Sequence, residues 1–182
     1  SLYEAAIAEN SISVPISTLV EHRPGKHLPK ANYRPGSITV YGSNSVMGLH
    51  DTPLYGGPFA VMARIGSYCG SLHWTDEPAW VNNNASALLP LNGAPSWILR
   101  HALEAIDMSQ FRVGTGQPFI AVKALMATAL QMPAEGLQGG LNQDLRSISR
   151  LGSQRLREVD ALQALRDALL PELLSGRIRA AD

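Results

Sequence analysis

With 182 residues, 45% of them apolar, and a formal net charge of zero, the chain can form one packed domain of ordinary size with something appended, and wholesale disorder is excluded. Zero net charge also argues against a protein that coats nucleic acid by bulk electrostatics. No apolar run approaches the roughly 18 to 20 residues that span a bilayer, and the opening "SLYEAAIAEN" lacks the basic and apolar regions of a signal peptide. The chain therefore reads as cytoplasmic, with no membrane partner.

In chain order, "YEAAIAEN" reads as a short helix that could lie against a longer one further on. Residues 22–34, "HRPGKHLPKANYR", carry Arg23, Lys26, Lys30 and Arg34 with no acid among them, broken by Pro24, Gly25 and Pro29. That is a basic loop, either a solvated surface or a contact for an anionic partner. Strand-like runs follow at "SITVY" (37–41), "PFAVMARI" (58–65) and "SALLPL" (86–91), alternating with turn-rich loops. One loop, Gly42 to Ser45, is a polar apex between Tyr41 and Val46. Two amphipathic helices are predicted, "SWILRHALEAI" with a stripe of Trp97, Ile98, His101, Leu103 and Ile106, and "KALMATALQM" over 123–132.

Beyond Pro133 the texture changes. Leu137, Leu141, Leu145, Ile148, Leu151, Leu156, Val159, Leu162, Leu165 and Leu169 recur every three to five residues with no strand signal, which keeps an apolar seam on one side of a long helix. From Leu137 to Leu170 it would be about 50 Å long at ~1.5 Å per residue. Pro171 marks a kink or restart, and Gly176 a cap. Gly136, Gly139, Gly140 and Gly152 weaken the helix by about 1 kcal/mol each relative to Ala, so tertiary or partner contacts must hold it. Either it packs along its own domain or it pairs with another of its kind. The expected fold is α+β, a mixed domain over 1–133 followed by a long helical segment over 134–182.

A search for chemistry is mostly negative. There is no Gly-rich loop ending in Lys-Ser or Lys-Thr, no paired-histidine zinc motif and no serine nucleophile elbow. "GSYCGS" (66–71) reads as a tight turn joining two strands, with Cys69 a small buried thiol. "DEP" (76–78) is a turn, and "GTGQP" (114–118) lacks the helix N-terminus and lysine that a phosphate cradle needs. No catalytic residue, metal site or cofactor is expected.

Four segments in order, "VYGSNSVMG", "LYGGPFAVMARIGSYCGSLHWTDEPAWVNNNASAL", "GTGQPFIAVKALMATALQMP" and "LQALRDALLPELLSGRIR", resemble the motif succession of the specificity subunit of type I restriction-modification enzymes. That family runs through a Tyr-Gly-Ser-Asn-Gly turn, an Arg-Lys-Gly-Ser turn, an aromatic-plus-Asn-Thr-Ala segment and a Gly-Ser-Xaa-Gln-Pro loop. A long helix ending in Leu-Leu-Pro-Xaa-Leu-Leu-Ser-Gly follows. Here Ser45 replaces a glycine, Ile65 a lysine, Ala85-Ser86 stands for Thr-Ala, and "EGLQGGL" for a Glu-Gln-Arg-Arg-Ile helix start. The family's subunit has two recognition domains and two helices; this chain resembles a half of it.

The resemblance implies a noncatalytic module that binds double-stranded DNA and positions methyltransferase subunits, with the restriction subunit as a further partner. The alternative is a stand-alone α+β ligand-binding protein or enzyme with an oligomerisation helix. Candidate DNA contacts are Lys26, Lys30 and Arg34 in the basic loop, Ser43 and Asn44 at the apex, and Arg64, Ser67, Tyr68, Arg112, Thr115 and Gln117 in the other loops. Asn44 either faces DNA or closes its own turn; Gln117 either reads adenine or is buried to pin its loop. In the seam, Leu141, Leu145, Ile148, Leu156, Val159, Leu162 and Leu169 are expected to join two copies as an antiparallel coiled coil, making a homodimer.

Overall fold

A computed structural model describes residues 1–91, 93–175 and 177. The chain falls into two units, Ser1–Asn142 and the residues from Gln143 onward. The first contains α1 (Leu2–Glu9), β1 (Ser11–Pro15), α2 (Ile16–Leu19), β2 (Val20–Pro24), β3 (Ile38–Tyr41), β4 (Val46–His50), β5 (Phe59–Ala63), β6 (Leu72–Thr75), β7 (Ala79–Val81) and β8 (Ala85–Pro90). It continues with α3 (Ser96–Glu104), β9 (Arg112–Val113), β10 (Phe119–Ile120), α4 (Val122–Ala127) and β11 (Ala129–Pro133), and it holds the start of α5 (Glu135–Leu174).

The strand runs read from the sequence form the centre of this unit. In β5 all five residues are buried, as a continuous apolar run requires of a strand covered on both faces. It lies between β6 and β8, with β2 outside β8, in a four-stranded antiparallel sheet ordered β2-β8-β5-β6. A three-stranded sheet, β4-β3-β7, pairs β3 antiparallel with β4 and parallel with β7. Phe59, Val61, Ala85 and Ala87 from the first sheet pack with Ala79 and Val81 from the second, and Tyr41, Tyr55 and Leu89 seal the edge. The three alanines leave room for the sheets to meet.

In α3, Trp97, Ile98, Leu99, Ala102 and Leu103 are buried, close to the predicted stripe. Its N-cap, Pro95, offers no side-chain acceptor. Asn142, on the first turns of α5, supplies one: its Oδ1 accepts from the N–H groups of Trp97 at 2.9 Å and Ile98 at 3.4 Å, satisfying donors that a helix start otherwise leaves open. α1 is the short helix expected. Its Tyr3 stacks on His101 of α3 and donates its hydroxyl to the Gln131 carbonyl at 2.6 Å, so these contacts tie it to α3 and β11.

Two expectations need correction. The helix predicted over 123–132 ends at Ala127, and Ala129–Pro133 is β11, paired antiparallel with β1. Leu130 and Met132 are buried while Ala129 and Gln131 are exposed, a period of two that fits a half-covered strand and that so short a stretch does not separate from a helix. The basic segment 22–34 is also not wholly a loop, because His22, Arg23 and Pro24 lie in β2, paired with β8.

α5 runs for 40 residues without a break, through four glycines and Pro171, about 60 Å at ~1.5 Å per residue. It is longer than the predicted 137–170. Gly176, expected as its cap, lies outside the described residues. Leu145 is buried and Leu141 half-buried, whereas Ile148, Leu151, Leu156, Val159, Leu162, Leu165 and Leu169 are exposed, Leu156 to 68%. At about 100° per residue these side chains fall within roughly half the helix circumference. Arg155 pairs with Glu158 at 2.8 Å and Arg166 with Asp167 at 2.6 Å; such exposed pairs are each worth at most about 1 kcal/mol. None of the described helices is long and apolar enough to cross a membrane.

Candidate nucleic-acid interface

The polar apex is the turn of the β3–β4 hairpin. Gly42 N–H donates to the Ser45 carbonyl at 3.0 Å, so the turn is closed by backbone. The Asn44 side chain is exposed and makes no hydrogen bond among the described residues, which leaves its amide free for an external partner. The Asx closure weighed for this residue does not occur.

Two segments distant in sequence come against this turn. Asn82 N–H donates to the Tyr41 carbonyl at 2.8 Å, Lys26 N–H to Val81 at 2.9 Å, and Gly25 N–H to Ala85 at 3.0 Å; Trp80 Nε1 donates to the Lys26 carbonyl at 3.0 Å. Gly25 is required by this approach, because a Cβ there would collide with the Asn82 carbonyl oxygen. Residues 27–30, 42–45, 47 and 82–84 thereby enclose an open cavity of about 410 Å³. Its walls carry Lys30, His27, Ser43, Asn44 and the three asparagines Asn82, Asn83 and Asn84, with no acid. Asn82 is 5% exposed; its Oδ1 accepts from Asn83 N–H at 2.7 Å, and its Nδ2 meets the Met47 sulfur at 3.5 Å.

Arg64 links this region to the remaining loops. Its N–H donates to the Asn84 carbonyl at 2.9 Å, its Nη2 to the Asn83 carbonyl at 3.2 Å, and its own carbonyl accepts from Ile120 N–H at 3.0 Å. Gly66 N–H donates to Pro118 at 2.9 Å, and Arg112 Nε to the Cys69 carbonyl at 2.8 Å. The turn 66–71 is the expected strand connection, with Cys69 buried and Ser67 and Tyr68 exposed at its apex. Gly70 has φ +91°, and a Cβ there would meet Met108 Cβ at 2.8 Å. In the β9–β10 hairpin Thr115 and Gln117 are exposed, so Gln117 does not pin its loop from inside. "DEP" is a turn, with Thr75 Oγ1 donating to the Glu77 carbonyl at 3.0 Å.

The predicted cations are not equivalent. Lys30 lines the cavity and Lys26 is exposed beside it. Arg34 is engaged by Asp51 at 3.3 Å, and its N–H donates to His50 Nδ1 at 3.2 Å. The Asp51 carboxyl is held below its usual value by the Thr52 hydroxyl, with Arg34 and His50 adding to the effect. Arg64 and Arg112 spend part of their donor capacity on backbone carbonyls. Burial lowers the pKa of His22, and the charge of Arg64 lowers it further. Among the described residues no group of three His, Cys, Asp or Glu side chains is placed to hold a metal ion. The candidates drawn from the sequence omitted Asn82, Asn83, Asn84 and His27; the run of three asparagines between two strands was the available signal.

The described residues thus gather amides, hydroxyls and cations on adjoining loops of an α+β domain, and a long helix with an exposed apolar seam follows. No protein-family model matches the sequence, and no curated protein matches it. Solved structures do. A type I restriction-modification system S subunit from M. genitalium is similar with a TM-score of 0.75 at 17% identity, over 91% of this chain and 46% of that one. A chain from a study of complex assembly and conformational transition in the type I R-M system gives 0.60 at 14% identity, over 94% and 50%. The HsdS subunit from Thermoanaerobacter tengcongensis gives 0.52 at 15%, over 94% and 49%. This chain spans about half the length of those it matches, and it has the fold of one half of a type I S subunit.

Proposed function

We propose that this chain is a noncatalytic DNA-recognition component of a type I restriction-modification system, reading one half-site in double-stranded DNA and positioning methyltransferase subunits on it. The observation that carries this reading is that the likeness takes in domain and helix together, over 91–94% of the chain. A stand-alone ligand-binding protein or enzyme gives no reason for that joint likeness. The chemistry resides in partner subunits, with the restriction subunit a further partner, and the setting is the cytoplasm.

On this reading Lys26 and Lys30 meet phosphates, while Ser43, Asn44, Ser67, Tyr68, Thr115 and Gln117 approach base edges and sugar-phosphate from exposed turns. Arg64 and Arg112 act through their remaining donors. Arg34, tied to Asp51, contributes less. The exposed seam from Ile148 to Leu169 pairs with that of a second copy running antiparallel, so that two identical domains read an interrupted palindrome. Leu141 and Leu145, already covered, add little to that contact.

The test is co-expression with type I methyltransferase subunits, followed by sizing of the complex and sequencing of the methylated sites. A stable complex methylating a palindrome with a fixed nonspecific spacer is expected. Deleting seven residues from the middle of α5 shortens that spacer by about three base pairs, at ~1.5 Å per helical residue and ~3.4 Å per base step. Failure to co-purify refutes the assignment, and a spacer indifferent to helix length refutes the antiparallel pairing of two copies.

A further inference from the structure

The cavity between residues 27–30, 42–45 and 82–84 has walls whose side-chain chemistry the fold leaves unused. Arg64 holds the 82–84 turn through the carbonyls of Asn83 and Asn84. Among the described residues the carboxamides of Asn44, Asn83 and Asn84 make no hydrogen bond. Asn82 is more telling, because it is 5% exposed and its Nδ2 has only the Met47 sulfur at 3.5 Å. A thioether is a poor acceptor, and a nearly buried amide normally has a better one.

We infer that this amide-lined cavity reads an adenine of the target, an assignment that rests on the DNA-recognition reading above. A carboxamide presents an acceptor beside a donor, the complement of the adenine N6 amino group and N7. Guanine offers two acceptors and is matched by a forked cation, while cytosine needs an acceptor such as a carboxylate. No acid lines this cavity, and its Lys30 belongs to the basic segment 22–34, assigned above to phosphates. Met47, 41% exposed at the same wall, offers an apolar contact to the methyl group of the paired thymine.

The experiment uses the full chain and a randomised duplex pool. Duplexes are selected at low salt, and each adenine of the selected site is then replaced in turn by 7-deazaadenine, which lacks the N7 acceptor. Wild-type binding is expected to fall about tenfold or more at one adenine, and the exposed triple variant Asn44→Ala, Asn83→Ala, Asn84→Ala to bind native and substituted duplexes alike, with an unchanged salt slope. A site at which no replacement matters to the wild-type chain overturns the adenine assignment and leaves DNA recognition standing. Discrimination that survives both in the triple variant and in the same variant with Asn82→Ala added does the same. Recovery of no duplex at all sinks both.

Discussion

Changing Leu156 and Val159 to Asp tests the seam where its energetics are simplest. Leu156 is 68% and Val159 47% exposed, and full burial of such a side chain is worth about 1.5–3 kcal/mol. Covering the exposed fractions against a partner is therefore worth about 1–2 kcal/mol for Leu156 and roughly 0.7–1.4 kcal/mol for Val159. A two-fold axis counts each contribution twice, so the two substitutions remove about 3–7 kcal/mol before any cost of four carboxylates brought together. That is roughly a hundredfold to a hundred-thousandfold in the dimer Kd, at ~1.4 kcal/mol per tenfold. Sedimentation equilibrium at tens of micromolar reads the mass, and far-ultraviolet circular dichroism reads the helix. The wild-type chain is expected as a dimer and the double variant as a monomer with its helical signal kept, because both positions are exposed within one chain. A wild-type monomer at high concentration, alone and with methyltransferase subunits, refutes the pairing, as does a double variant of wild-type mass.

Replacing Lys26, Lys30 and Arg34 by Ala is expected to weaken DNA binding across sequences and to flatten its salt dependence by about one unit per lost phosphate contact. Lys26 and Lys30 account for most of the change, since Arg34 is paired with Asp51, and an unaltered slope in the triple variant removes that loop from the interface. Gly25→Ala puts a methyl group into the Asn82 carbonyl and is expected to lower stability by about 1–3 kcal/mol in urea titration; wild-type stability would show that the loop yields easily. His22 makes stability pH-dependent: its folded pKa is lowered by burial and by Arg64, so the unfolded chain takes up its proton at higher pH. The stability it contributes is complete above the ordinary histidine value of about 6.5 and is lost as pH falls through the lowered folded value. Thermal melts between roughly pH 7.5 and 5 should decline less steeply for His22→Gln, and equal slopes would exclude His22 as the source.

Long periodic or continuous apolar segments were legible in the sequence because their burial depends on near neighbours. The run Phe59–Ala63 is buried on both faces, Trp97 to Leu103 forms one stripe, and the leucines from 137 onward mark one side of a helix. The Gly42–Ser45 turn and the strand connection at 66–71 were equally visible, since glycine and small polar residues act locally on the backbone. The strand Ala129–Pro133 was not. Its apolar positions satisfy two periods, and pairing with Ser11–Pro15, more than a hundred residues earlier, selects the extended one. The site was legible only in pieces. Bonds from Asn82 to Tyr41, Lys26 to Val81 and Arg64 to Asn83 and Asn84 turn three separate loops into one cavity, and the Asp51 carboxylate takes Arg34 out of the free cations. Spacing along the chain carries no trace of such contacts, because hydrogen bonds across strands set which loops adjoin and which side chains remain unspent.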